Sequence, residues 1–384
     1  MIINIKKVNM KFNYNRLFFI QSLIYGFCLK SQSKIKKLNL LSIRLINLAL
    51  LGSIIYEVVA LFPEAKNIEL VYGYAIDTTV CLIIYLNLIF NYDKISEIYG
   101  LLIEFGDNKM NCRAMKIGKV LSSLWLFALP IGTLCDFIGN IYLQKIGYVK
   151  GEISYESLIP LFLNLFNYYY LTIGVSVYAI LNYTFINLLI YLKFENSIKS
   201  LIPNFNENYP FQNDLRFNLF QINKMLTCYQ EIRKQINESM GIFPFLTISG
   251  IFMNICLRVT LFVTVDNKTI YLFVNSADFI ILAFFNLLMV IILSLIPNEN
   301  NFFSELISSL KKKTKSIISF CSFDKMQNNL FIEKTILFKS IYCPYYAQHN
   351  AWEMFCINKG FILSFVAAVT TFSVMLIQIK QSIK

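Results

Sequence analysis

The sequence predicts an all-α membrane protein: seven transmembrane helices, a cytosolic N-terminus, an extracellular C-terminus and long cytosolic helical extensions. Three observations carry this prediction. Hydrophobic residues make up 56% of the 384 and charged residues only 15%, against roughly 25% charged in an ordinary soluble domain, so the chain cannot cover a soluble surface with polar groups. Seven stretches reach the ~20 apolar residues needed to cross ~30 Å of hydrocarbon. The 35 Lys and Arg residues also divide unevenly: 25 fall before the first span and in the loops after spans 2, 4 and 6, and 6 fall on the opposite side. Basic residues stay with the cytosol, so the odd number of spans leaves the termini on opposite faces. The net charge of +12 is mostly this topology signal and does not point to nucleic acid.

The spans run over about 38–62, 70–92, 117–143, 157–192, 241–265, 270–296 and 355–379. Pro130 is a kink candidate in the third, and the fourth is longer than a bilayer requires. The chain divides into a cytosolic N-terminal segment (1–37), a six-helix membrane bundle with cytosolic extensions (38–296), a cytosolic segment (297–354) and the last helix with a short outer tail (355–384). The apolar run 17–29 follows Lys6, Lys7, Lys11 and Arg16 like a signal-peptide core. No small-x-small cleavage site comes before Lys30-Ser31-Gln32-Ser33-Lys34, so the run reads as an interfacial helix under the membrane.

The outer loops, about 63–69, 144–156 and 266–269, are too short to build an extracellular domain. An outside ligand must therefore bind between helices. Residues 193–240 place Phe217, Phe220, Met225, Ile232 and Ile236 among Arg216, Lys224, Arg233 and Lys234, the pattern of an amphipathic helix. The run Lys311–Lys315 reads as a solvated cluster near anionic inner-leaflet lipid.

Several chemistries are excluded. There is one histidine, His349, so a His pair, a zinc site or a His relay is out of reach, and no metal or cofactor is expected. No HxxxD, HExxH or GxSxG pattern marks an enzyme. The nine cysteines fall in spans or cytosolic segments, where disulfides are not expected. The sequon at Asn267 lies too close to the membrane for ready glycosylation. The absence of an internal repeat disfavours an inverted-repeat transporter. The inside N-terminus argues against a rhodopsin-like G-protein-coupled receptor, as does the third span's end, Gly139-Asn140-Ile141-Tyr142, which lacks a DRY-like triplet.

Six ionisable residues stand out within the spans: Arg44, Glu57, Asp77, Asp136, Arg258 and Asp278. Each needs a partner or a water-filled cavity. Following the chain direction, all but Arg44 map to the outer half, and Arg44 to the inner end. A cavity open to the outside accounts for them together, with Tyr168, Tyr169 and Tyr170 as aromatic walls carrying hydroxyl tips. The alternative is structural: Arg258 bridging Asp278 or Asp136.

In the last span Thr371, Met375 and Gln378 fall on one helical face. It reads Thr371-Phe372, then Ser373 to Ile377, then Gln378-Ile379. This resembles the insect gustatory receptors of the seven-span insect chemoreceptor superfamily, whose last helix carries Thr-Tyr, five apolar residues and Gln-Phe. Phe and Ile stand here for Tyr and Phe, and Gly360 to Thr371, with small Ala367 and Ala368, is also similar. The resemblance implies a ligand-gated, non-selective cation channel in the plasma membrane, a homo- or hetero-tetramer around one pore that needs no G protein. It places Thr371, Val374, Met375 and Gln378 on the pore, with Met375 and Gln378 at its gate. A small-molecule tastant is implied to bind among the first six helices. The cytosolic parts of spans 4 to 6 and the start of 7 would form the inter-subunit anchor. Ser373 stands where many sugar-receptor members have Glu, which favours a bitter or unclassified ligand. An insect odorant receptor subunit is close kin; a membrane transporter is the more distant alternative.

Overall fold

The computed structural model describes residues 24–27, 34–61, 68–104, 108–145, 155–201, 231–264, 287–288, 290–294, 350–351, 354–357 and 359–383. Asp278, His349, the sequon at Asn267, the Lys311–Lys315 cluster, most of the sixth span and most of 297–354 lie outside the described residues. So do residues 202–230 of the amphipathic stretch.

The described chain is almost entirely helical. Helix α1 (Lys34–Leu61) is the first span, and α2 (Ile68–Phe90) the second. Asn91 interrupts the chain for one residue before α3 (Tyr92–Glu104). The second span, expected to end near Tyr92, ends at Phe90, and the amphipathic α3 beyond it buries Ile95, Ile98 and Tyr99 and exposes Asp93, Lys94 and Glu97. Helix α4 (Asn108–Lys145) holds Pro130 and, at 38 residues, is about 57 Å long, well beyond a bilayer's thickness.

The long fourth span is α5 (Tyr155–Tyr168), a π-turn (Tyr169–Ile173) and α6 (Gly174–Leu201). Next come α7 (Glu231–Met240) and α8 (Ile242–Thr264), bent by 44° at Gly241. A two-residue ladder, β1 (Asn350–Ala351) on β2 (Phe355–Cys356), leads into α9 (Lys359–Ile383). Four described helices are long and apolar enough to cross a membrane, or five if the bent pair is one span; Gly360–Met375 is a shorter apolar stretch. This is the build of a multi-pass membrane protein.

Helix α6 is the axis of the bundle. Every residue from Leu171 to Asn187 is buried. A helix covered all round must settle its own polar side chains, and these fold back onto carbonyls one turn earlier. Asn182, Thr184 and Asn187 donate to Tyr178 O, Ile180 O and Tyr183 O, each at 2.8 Å. Asn182 also accepts from Tyr99 Oη on α3 at 3.0 Å.

One element of the core leaves the helix. Ile24 is helical, and Tyr25-Gly26-Phe27 form a turn inside the bundle, with Tyr25 fully buried and Phe27 nearly so. This corrects the interfacial helix expected over 17–29 at Tyr25–Phe27; the rest of that run, Ile24 apart, lies outside the described residues. The turn is held by its carbonyls, which have no helical partners and must be met by side chains in a water-poor core. Ile24 O accepts from Tyr170 Oη (3.0 Å) and Asn47 Nδ2 (3.2 Å), Tyr25 O from Tyr85 Oη (3.1 Å), and Gly26 O from Arg44 Nε (2.8 Å). The Arg44 guanidinium lies 4.9 Å from the Phe27 ring centre and 4.3 Å from that of Tyr92, a cation–π pair that offsets its burial. Tyr25 itself packs on Trp125 of α4, Tyr170 and Tyr178.

Gly26 has φ of +76°, and a Cβ there would sit 2.7 Å from Arg44 Cγ and 3.0 Å from Leu40 O. Gly26→Ala should therefore cost about 1–3 kcal/mol. Thermal denaturation of the detergent-solubilised chain should show its midpoint falling. Gly52→Ala, where nothing lies within 4 Å of the added carbon, should leave the midpoint in place; equal behaviour of the two variants would contradict this account of the turn.

Candidate functional site

The sequence-predicted residues that the structure brings together centre on Asp77, near the middle of α2. Its carboxylate is held from two sides. Asn254 of α8 donates from Nδ2 to Oδ1 at 2.6 Å, and Tyr168, the last residue of α5, donates from Oη to Oδ2 at 3.1 Å. Charge-assisted bonds of this kind are short and about twice as strong as neutral ones, which is how a bundle keeps a carboxylate among apolar helices.

Aromatic rings surround the pair. Tyr74, one turn before Asp77, meets Tyr168 edge-on at 5.0 Å, and Tyr168 meets Tyr169 edge-on at 5.8 Å. Two glycines set the helix approach. At Gly73 a Cβ would lie 3.4 Å from Asn254 Oδ1, and at Gly132 of α4 it would lie 2.8 Å from the Tyr169 ring. Asp136, one turn beyond Gly132, is buried at 5% exposure. Helices α2, α4, α5 and α8 thus meet around a carboxylate, a carboxamide and phenols. This mixture of fixed polar groups and π surfaces suits a small-molecule pocket. No group of His, Cys, Asp and Glu suited to a metal ion occurs among the described residues.

The π-turn explains how three consecutive tyrosines serve different neighbours. Successive residues of a helix already point about 100° apart, and the turn sets where the outer part of the helix stands relative to the inner part. Tyr168 points to Asp77, Tyr169 lies against Gly132, and Tyr170 stacks on Tyr25 at 5.3 Å. Tyr170 therefore serves the buried turn at 24–27 and not the Asp77 cluster. The π-turn's own bond runs from Gly174 N–H to Tyr169 O. Two donors reach it from outside: Tyr25 Oη to Tyr170 O at 3.1 Å and Cys81 Sγ to Leu171 O at 2.9 Å.

The remaining candidates are scattered. Glu57 sits on the exposed surface of α1, apart from the cluster. Arg258 lies on α8 one turn after Asn254; its side chain and all of Asp278 are outside the described residues. Asn254 and Tyr74 were missed by sequence reasoning, although an Asn amid the apolar Ile242–Thr264 helix was a legible signal.

Helix α9 packs through one stripe. Phe361, Phe365, Val369 and Phe372 are partly buried, and Phe365 and Phe372 meet Phe252 of α8 at 6.1 and 6.4 Å. The opposite face is bare, and Thr371, Val374, Met375 and Gln378 all lie on it. The Thr371 hydroxyl is bound within its own helix, to Ala367 O at 2.9 Å.

No family model and no curated protein matches the chain. Solved structures do. The insect olfactory receptor OR5 of Machilis hrabei in complex with eugenol matches with a TM-score of 0.66 and 10% identity, over 95% of this chain and 97% of that one. The same receptor in a structure titled without eugenol matches with a TM-score of 0.59 and 11% identity over the same shares. At this identity the likeness is one of fold. The fold is the one seen in these insect olfactory receptor structures.

Removing the amide that holds Asp77 should show its contribution. Asn254→Ala is expected to cost about 1–3 kcal/mol, read as a lower thermal midpoint, and adding Asp77→Asn should then cost much less than it does alone. Glu57→Gln, on the exposed face, should leave the midpoint unchanged. Additive losses at Asn254 and Asp77 would show that the two side chains are not coupled.

Proposed function

We propose that this chain is a subunit of a ligand-gated, non-selective cation channel that acts as a gustatory chemoreceptor in the plasma membrane. The observation that carries the reading is the last helix. It combines the Thr371…Gln378 pattern with a face that its own subunit leaves bare, in a chain whose fold matches an insect receptor over nearly its whole length.

In this reading four chains, identical or mixed, surround one pore. Thr371, Val374, Met375 and Gln378 line it, and Met375 and Gln378 form the gate. The cytosolic ends of the long helices and the 297–354 segment supply the anchor. A small molecule enters from outside and is met at Asp77, Asn254, Tyr168 and Tyr169, with Asp136 beside them. Ser373, in the place where sugar-responsive members have Glu, favours a bitter or unclassified tastant. A second reading, an odorant receptor subunit, is favoured by the olfactory title of the similar structures.

Calcium imaging and whole-cell recording of cells expressing the chain, screened with bitter compounds, sugars and volatile odorants, test both readings. Ligand-dependent cation current that persists under G-protein blockade is expected. Gln378→Ala or Met375→Ala should change conductance or gating at unchanged surface expression. A response abolished by G-protein blockade, or currents identical in both variants, would overturn the channel or the gate assignment respectively; responses to volatiles alone would favour the second reading.

A further inference from the structure

We infer that the π-turn Tyr169–Ile173 is a register switch in the fourth span, locked in its present setting by Tyr25 and Cys81. The inference rests on four observations and does not depend on the channel reading.

A π-turn holds one residue more than an α-helical path of the same length. With α6 fixed, conversion of the turn to α-helix drives α5 outward by about 1.5 Å and rotates it by about 100°. Each position on α5 is then taken by the next residue in sequence.

The two sides of the turn differ in freedom. From Leu171 to Asn187 α6 is buried without interruption, whereas Ile159, Phe162, Leu163 and Phe166 of α5 are exposed. The outer half is therefore the part that moves.

The sequence at the turn tolerates the shift. Residues 168, 169 and 170 are all tyrosine. One step puts Tyr169 where Tyr168 now meets Asp77, and Tyr170 where Tyr169 now lies against Gly132. The carboxylate keeps a phenol and the glycine keeps a ring, so the two registers are close in chemistry at the pocket wall.

Two donors select the present register. Tyr25 Oη binds Tyr170 O and Cys81 Sγ binds Leu171 O, both within the turn. Tyr170 Oη in turn binds Ile24 O, so the shift also breaks the stack of Tyr25 on Tyr170. The buried N-terminal turn and α2 thereby hold the pocket wall at Tyr168.

The full-length chain in lipid nanodiscs allows a direct test with a short bifunctional thiosulfonate and identification of the linked peptides by mass spectrometry. Phe137 of α4 meets Phe162 of α5 with ring centres 5.4 Å apart, away from the lock, so Phe137→Cys with Phe162→Cys reports the present register, and Phe137→Cys with Leu163→Cys the shifted one. The first pair should link at least ten times more than the second in the parent chain. Tyr25→Phe should reduce that ratio several-fold. Cys81→Ala, made separately in case Tyr25→Phe does not fold, should act in the same direction, and Cys81→Ser, which keeps a donor, should restore the ratio. Loss of linking in both pairs would mean only local unfolding and would count against the switch. An unchanged ratio in Tyr25→Phe and Cys81→Ala would overturn it.

Discussion

A carbonyl oxygen buried in a membrane bundle must be given a donor, and this requirement organises the centre of the molecule. Helices meet it for themselves, residue by residue. The turn at Tyr25–Phe27, just after Ile24, and the π-turn at Tyr169–Ile173 depart from the regular ladder. At both, side chains from distant elements supply donors, namely Asn47, Arg44, Tyr85 and Tyr170 to the first, and Tyr25 and Cys81 to the second. Tyr170 belongs to the first set and Tyr25 to the second, each donating to backbone of the other's segment. The two irregular pieces therefore satisfy one another, and neither conformation is explained without the other.

The Asp77 cluster lies beside this arrangement. Tyr168 meets the carboxylate, while the next two phenols go elsewhere. Asn254 meets it from α8. A half-buried carboxylate is thus held by neutral donors from two other helices. Helix α9 stands outside this network. It touches the bundle through a ridge of Phe and Val and leaves Thr371, Val374, Met375 and Gln378 exposed, a division that sets it apart from the Asp77 cluster.

The helices were legible because hydropathy and length are properties of contiguous residues. The limits of α1 and α2 lie close to their predicted ends, and the excess length of the fourth span was visible as a long apolar run. Arg44, read as an in-span charge needing a partner, does have one. Who the partner is could not be read, because Gly26 is brought to it by chain reversal. Asp77 and Tyr168 were both named as candidates, but their contact joins residues 91 apart, and Asn254 lies a further helix away. The amphipathic α3 that follows α2 was not read as an element, because its hydropathy falls while its helical periodicity continues. The π-turn leaves no signature in composition at all; only the tyrosine triplet marks the place.

The buried turn also imposes an order on synthesis. Tyr25 and Tyr170 are separated by 145 residues. At translation rates of roughly 5–20 residues per second, the tyrosine that receives the N-terminal segment emerges on the order of 10 s after it. During that interval the segment has no cavity to enter, because α2, α4 and α6 that wall it have not all been made. A segment made before all six of these helices is thus among the last to reach its place, and its docking reports that helices α1 to α6 have come together correctly.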